Sequence, residues 1–290
     1  QSSETTSESS ASSTSSTNEP SSTSEETPKT EASSSEARAA VSEFTEVANI
    51  GQIQGEAHES PYNGKKVRVS SVVVTKTDRY GFYAQDIKAD GNTKTSDAIY
   101  VVSKEKVAVG DRLTIEGEVK EGYMESLSVR PGQTFRKPTD SLTVTQLFAS
   151  KVTKNGTAAL PESVNISERM PKDIVDNTPT VYDPEHDALD YWESLEGMLT
   201  TVEKPHVLGP QYRGDIYLLP AGYQELPLNN IGGVNLRLNV QNTATIPVYV
   251  GNKFVAKAKD YFNEDVVGVV SYRSKVFKLE PTQLPALQDG

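Results

Sequence analysis

The stretch "DYWESLEGMLTTV" (190–202) holds the only tryptophan of the chain and packs Asp190, Glu193 and Glu196 close together. Carboxylates at this density suggest two chemistries. Paired across a sugar ring, they cleave glycosides as acid and base or nucleophile. Gathered on one point, they hold a hard cation. Acids three apart on one segment cannot stand on opposite sides of a substrate, and metal sites draw their oxygens from separated segments. The expected role is therefore structural. Trp192, Leu195 and Met198 bury one side, while the acids face solvent or cap a turn. A second acidic stretch, "QDIKADGNTKTSD" (85–97), sets Asp86, Asp90, Asn92 and Asp97 around Gly91. Hard oxygen ligands at short spacing around a glycine turn suit Ca²⁺ or Mg²⁺, although the spacing is not that of an EF-hand and no glutamate closes it. The other reading is a polar hairpin loop in which Asp and Asn satisfy their own backbone. His58, His186 and His206 are far apart and form no HxH or HExxH pair. No nucleophile-elbow serine or glycine-rich phosphate loop is present. With no cysteine in the chain, disulfides, thiolate metal sites and a cysteine nucleophile are excluded.

The elements that carry these stretches read as strands. In "KKVRVSSVVVTKTD" (65–78), Val67, Val69, Ser71 and Val73 alternate with Lys66, Arg68 and Ser70. Further strands are expected at "YGFYAQD" (80–86), "DAIYVVS" (97–103), "GDRLTIEGEVKE" (110–121) and "DSLTVTQLFASKVTKNG" (140–156). Five short strands with turn signals between them fit a small closed β-barrel. Pro161, Pro171, Pro179 and Pro184 mark a crossing linker with a short helix near 185–192. A second β pattern follows: "LEGMLTTVEKPHVLG" (195–209), "GDIYLLPAG" (214–222), "VNLRLNVQ" (234–241), "IPVYVG" (246–251) and "DVVGVVSYRSKVFKLEP" (265–281). Both halves hold a glycine strand, "IEGEVKE" and "VVGVVSY", suited to the sharp coil of a small barrel. The expected fold class is all-β, with two tandem OB-like barrels after a disordered Ser/Thr/Glu-rich tail. The tail spans 1–43, barrel 1 spans 44–156, the linker 157–190 and barrel 2 191–286.

Residues 1–40 contain no Val, Leu, Ile, Phe, Tyr or Trp, so they cannot offset the entropy of ordering and read as a spacer or stalk. They carry seven acidic and two basic side chains, leaving −6 of the net −11 for the remainder. That charge argues against strong, unassisted, non-specific binding to nucleic acid, which needs many Lys/Arg contacts to phosphate. No apolar run reaches transmembrane length, so membrane insertion is not expected. The polar tail points to an extracellular setting, cell-wall-attached or secreted.

"IGQIQGEAHESPYNGKKVRVSSVVV", followed by "GFYAQD", "TSDAIYV" and "VGDRLTIEGEV", resembles the OB-fold region of large extracellular bacterial nucleases, among them cell-wall-anchored streptococcal DNases. "DPEHDALDYWESLEGMLTTV", "GPQYRGDIYLLP" and "GVVSYRSKVFKLEPTQLP" look like later blocks of the same family, and together the likeness covers nearly all of 48–286. In that family an endonuclease/exonuclease/phosphatase domain, dependent on Mg²⁺ or Ca²⁺, carries the chemistry. Its "FNV", "GDxN" and "SDH" segments are missing from this sequence. The resemblance thus implies a non-catalytic part of a metal-dependent nuclease, with DNA and the family's catalytic domain as partners.

OB-folds bind single strands across strands 2 and 3, stacking bases on aromatics and setting cations on phosphates. If Phe82 and Ala84 point inward, Tyr83 points outward, and the same alternation turns Tyr100 out. Lys66, Arg68 and Arg79 flank them. In the second barrel the parallel candidates are Tyr212, Arg213 and Tyr217, then Tyr272, Arg273 and Lys275. The expected partner is DNA, weakly bound and preferably single-stranded. The alternative is a scaffold that packs against a catalytic domain and leaves DNA alone.

Overall fold

Val, Ile, Tyr and Phe at alternate positions suit a pleated surface buried on one side. The computed structural model describes residues 41–167, 181–221 and 245–290. The tail up to residue 40, linker residues 168–180 and the strand expected at 234–241 lie outside the described residues.

The first half is built from β1 (Thr45–Glu46), α1 (Ile50–Gln54), β2 (Lys66–Thr77), β3 (Gly81–Asp86), β4 (Ala98–Val102), β5 (Asp111–Gly122), a 3-10 turn at Met124–Ser128 and β6 (Val144–Thr157). Hydrogen-bonded neighbours run β2–β3–β4–β6–β5 and return to β2, so the ring closes. Every pair in the ring is antiparallel except β4 with β6. This is the five-stranded Greek-key ring of an OB-fold. Val67, Val69, Val72, Val74, Phe82, Ile99 and Leu113 fill its interior. The alternation in β2 therefore changes phase. Ser71, expected on Val69's face, adopts φ +58° at a register shift against β5. The extra residue passes the inward role from odd to even positions, as a β-bulge does. The bulge coils β2 so that it serves both β3 and β5.

The second half comprises β7 (Val164–Asn165), α2 (Ala188–Glu193), β8 (Leu199–Val202), β9 (His206–Val207), β10 (Asp215–Leu219), β11 (Ile246–Tyr249), β12 (Tyr261–Phe262), β13 (Val266–Arg273), β14 (Val276–Gln283) and β15 (Leu287–Gln288). The strand expected over 195–209 is broken: Lys204 takes φ +33° and Pro205 removes an N–H. Its first piece, β8, pairs with β13, and its second piece, β9, pairs with β10. The order is thus β9–β10–β11–β14–β13–β8, with the ends joined by the chain itself rather than by a ladder. As in the first ring, one central pair is parallel, here β11 with β14. The segment 265–281 is a hairpin rather than one strand. Ser274 and Lys275 both take positive φ, +51° and +64°, in a two-residue loop closed by Arg273 and Val276.

Gly117 and Gly268 occupy matching places, on the fourth strand of each ring facing the fifth. A Cβ on Gly117 would strike the Phe148 carbonyl, and one on Gly268 would lie 2.7 Å from the Glu280 carbonyl oxygen. Both stand at register shifts. The second half's interior, including Val202, Ile216, Leu218, Val269 and Leu279, is continuous with Tyr83, Ala98, Tyr100, Met124 and Val144 of the first ring. Ser42–Gly290 form one compact unit.

Candidate nucleic-acid interface

β3 and β4 put Tyr83 opposite Tyr100, with ring centroids 5.0 Å apart in an edge-on contact. The alternation expected from the sequence is present, but the face is not open. Tyr83 is 3% exposed and Tyr100 1%. The second half covers them. Gly197 packs on Tyr83, the Leu199 amide donates to Gln85 Oε1 at 2.9 Å, and Ser96 Oγ donates to the Glu196 carbonyl at 2.6 Å. Tyr100 Oη donates to Asp78 Oδ1 at 2.6 Å. Burial raises both phenols far above their ordinary range. The expectation that these rings face solvent is corrected: alternation defines a face, and a second apolar surface has taken it. Tyr272 is likewise buried, and its hydroxyl accepts the Leu142 amide at 3.2 Å.

The flanking cations of the first ring are mostly engaged. Lys66 pairs with Glu43, and Arg68 with Glu46 (3.5 Å) and Glu116 (3.1 Å). Arg79 is exposed, 5.7 Å from the Tyr80 ring centroid.

Among the described residues, the corresponding face of the second ring is open. On β10, Ile216 and Leu218 point inward and Tyr217 outward; on β11, Ile246 and Val248 point inward and Tyr249 outward. Tyr217 lies across from Pro247, and Tyr249 across from Asp215, so the two rings are diagonal neighbours on one surface. Tyr212, bridged to Asp215, sits at its edge with the Arg213 guanidinium 5.2 Å from its ring centroid. Exposures are 66% for Tyr212, 40% for Tyr217 and 49% for Tyr249. Tyr249 was legible in "IPVYVG", whose alternation turns it outward beside Tyr217, yet it was not among the expected contacts.

Tyr249 and Arg213 also line a groove of about 670 Å³ that continues onto Lys76, Arg273 and Lys278. Arg273 Nε pairs with Glu280 at 3.0 Å and Lys278 with Asp215 at 2.7 Å. Arg213 has no ion pair among the described residues. Lys275 belongs to the hairpin turn, where the Ser274 amide donates to Glu125 Oε1 of the first half at 2.7 Å. Of the second-half candidates, Tyr212, Arg213 and Tyr217 come together, with Arg273 further along the groove and Lys275 at the turn.

The family described as domain of unknown function DUF8508 matches residues 152–289. The match takes in the last part of β6 and the whole second ring. No curated protein and no solved structure matches the chain.

The acidic stretches are occupied by structure. Asp86 receives the Ile50 amide at 2.9 and 3.0 Å and the Gly51 amide at 3.3 Å, holding the start of α1. Asp90 accepts from the Asn92 amide (2.7 Å) and Thr95 Oγ1 (3.0 Å), while Asn92 spends its side chain on the Lys94 amide and Glu56. Among the described residues, no group of three His, Asp or Glu is placed to hold a metal ion. Of the side chains expected to hold Ca²⁺ or Mg²⁺, Asp86, Asp90 and Asn92 spend oxygens on the chain's own amides and on Thr95, whereas Asp97 Oδ1 has no hydrogen-bond partner among the described residues.

In "DYWESLEG", Trp192, Leu195 and Met198 are buried as expected, but Asp190, Glu193 and Glu196 are buried too. His58 bridges Asp190 (2.5 Å) and Glu193 (3.1 Å) across the seam between the halves. Glu196 Oε1 accepts the Thr145 amide at 2.9 Å, and Oε2 has no hydrogen-bond partner. Burial first, then the charges of Glu121 and Asp190 on Glu193 and of Glu193 and Glu121 on Glu196, raises both seam glutamates well above the usual carboxylate range. Solvent-facing acids were expected; the seam encloses them instead, and His58 is the partner that sequence spacing did not suggest.

Proposed function

We propose that this chain is a non-catalytic, nucleic-acid-binding module of a secreted or cell-wall-attached deoxyribonuclease, and that it contacts single-stranded DNA through the outer face of β10 and β11. One observation carries the reading. Tyr217 and Tyr249, with Tyr212 and Arg213 beside them, stand uncovered on the strand-2/strand-3 face of an OB-like ring, where such rings stack bases. Each stacked base would contribute ~1–3 kcal/mol. The groove through Arg273 and Lys278 offers a path for phosphates, tempered by their carboxylate partners. The first ring supports the second and does not contact DNA.

Fluorescence anisotropy of a labelled oligothymidylate across a salt series tests this. Binding should weaken as salt rises. Tyr217→Ala with Tyr249→Ala should lose about tenfold or more, the worth of one stacked base. No binding at tens of micromolar protein, about −6 kcal/mol, would sink the reading. A clean preparation should leave DNA intact with Mg²⁺ or Ca²⁺ present, and cleavage would overturn the non-catalytic assignment.

A second reading has its own support. In the first ring this same face is docked by protein, so the open face of the second ring would receive a folded catalytic domain instead. Binding of such a domain, blocked by the tyrosine variants and unaffected by oligonucleotide, would favour it.

A further inference from the structure

The groove beside Tyr249 is built by both halves of the molecule. Lys76 and Asp78 come from β2 and the turn after it, Arg273, Lys278 and Glu280 from β13 and β14, and Arg213 and Tyr249 complete it. Four cations along one groove would suit a phosphate chain. Three of the four are already paired. Glu280 serves two of them: Oε1 accepts from Arg273 Nε at 3.0 Å, and Oε2 lies 3.7 Å from Lys76 Nζ, an ion pair that joins the two halves. Asp215 Oδ2 accepts from Lys278 Nζ at 2.7 Å. Asp78 adds a further negative charge, held in place by the Tyr80 and Gly81 amides and the Tyr100 hydroxyl.

These pairs are not loose surface contacts. The side chains of Glu280, Asp215 and Lys278 are 12%, 14% and 12% exposed. A phosphate that takes Arg273 or Lys76 must draw it away from Glu280 and leave a nearly enclosed carboxylate without its partners. The exchange swaps one anion for another and releases few mobile ions, so it adds little affinity and little salt dependence. Stacking does not pass through that exchange, because Tyr217 and Tyr249 stand outside the pairs.

We propose that Glu280 and Asp215 are built-in counterions that set the specificity of the β10–β11 face. They hold the groove's cations neutral towards polyanions in general, so that binding depends on unpaired bases stacking on the tyrosines. Glu280, which neutralises two cations, is the specificity-determining residue. The inference rests on the single-strand reading above. The full chain is titrated calorimetrically with inorganic polyphosphate, which has charge and no bases, and by anisotropy with labelled oligothymidylate, each over a salt series. Polyphosphate should bind the parent at least about tenfold more weakly than oligothymidylate, for want of a stacked base. Glu280→Gln keeps the side chain's shape and should tighten polyphosphate about fivefold or more, with log K falling more steeply against log salt by about 0.7 for each of the two cations freed. Asp215→Asn, at a separate pair, frees one cation and should steepen the slope by half as much; it also carries the test if Glu280→Gln folds poorly. Adding Arg273→Gln to Glu280→Gln should remove most of the gain. Glu264→Gln, at an exposed acid outside the groove, should leave polyphosphate binding within about twofold. Polyphosphate affinity unchanged in Glu280→Gln and Asp215→Asn, a gain matched by Glu264→Gln, or polyphosphate binding the parent as tightly as oligothymidylate would each overturn the proposal. Failure of oligothymidylate to bind the parent defeats instead the base-stacking reading, whatever polyphosphate does.

Discussion

Four tyrosines show what decides a residue's role here. Tyr83 and Tyr100 share a face of the first ring, and Tyr217 and Tyr249 share the matching face of the second. The first pair is core, the second surface, so identical substitutions should part sharply. Tyr83→Ala opens a cavity in the seam and should cost ~3–5 kcal/mol, whereas Tyr217→Ala should change stability by less than about 0.5 kcal/mol. Denaturant unfolding followed by Trp192 fluorescence measures both. A Tyr83→Ala protein as stable as the parent would mean that the second half does not cover that ring. Asp86 makes a similar point about charge. Asp86→Ala strands the Ile50 and Gly51 amides at the start of α1 and should cost ~1–3 kcal/mol by the same assay. The sequence revealed that Tyr83 and Tyr100 share a face, because alternation is a local property of a strand. What lies on that face is set by chain more than a hundred residues away, and no local pattern reports it.

Elements tell the same story at the next level. β3 to β5 lie close to their expected positions, because period-two patterns bounded by Gly, Asp and Pro are strong local signals. The misreadings fall where the backbone departs from regular strand geometry: Ser71 in β2, Lys204 between β8 and β9, and Ser274–Lys275 between β13 and β14. Each is a non-glycine residue at positive φ. Ser, and especially Lys, gives little warning of that conformation. Replacing Ser71 with Val, whose branched Cβ tolerates it least, should cost ~1–2 kcal/mol.

α2 and the chain after it supply a pH dependence. Glu193, Glu196, Asp86 (about 7) and Asp97 (about 6) hold their protons in the fold to higher pH than in the unfolded chain, where carboxyls ionise near about 4. Above that pH the folded state binds more protons than the unfolded one. Stability is therefore fullest below about 4 for these groups and falls as pH rises through 6 and 7. At Asp183 and Asp260 burial pushes upward but is outweighed by hydrogen bonds from His186 and Lys257, and burial lowers the His206 imidazole, so those three act in the opposite sense. The seam groups outnumber them and are better shielded from solvent. Equilibrium unfolding at pH 5 and pH 8 should show the protein less stable at pH 8, and Glu196→Gln should flatten the difference. A rise in stability over that interval would contradict the account of the seam.

At the scale of the whole molecule, the chain repeats one ring twice: the same strand order, one parallel pair in each, and a glycine at a bulge where the fourth strand crosses the fifth. The doubling was visible in the sequence only as two glycine strands, "IEGEVKE" and "VVGVVSY". Ring order depends on long-range pairing, which the sequence does not write down. The use of the two rings is unequal. The first ring spends its strand-2/strand-3 face on holding the second, and among the described residues the second leaves its own free. The most direct test maps where DNA touches. An oligonucleotide carrying photoreactive 5-iododeoxyuridine is crosslinked to the chain, and the modified peptides are sequenced. Crosslinks are predicted at Tyr212, Tyr217 and Tyr249, with none at Tyr83 or Tyr100. Crosslinks centred on Tyr83 and Tyr100, or none at saturating oligonucleotide, would contradict it.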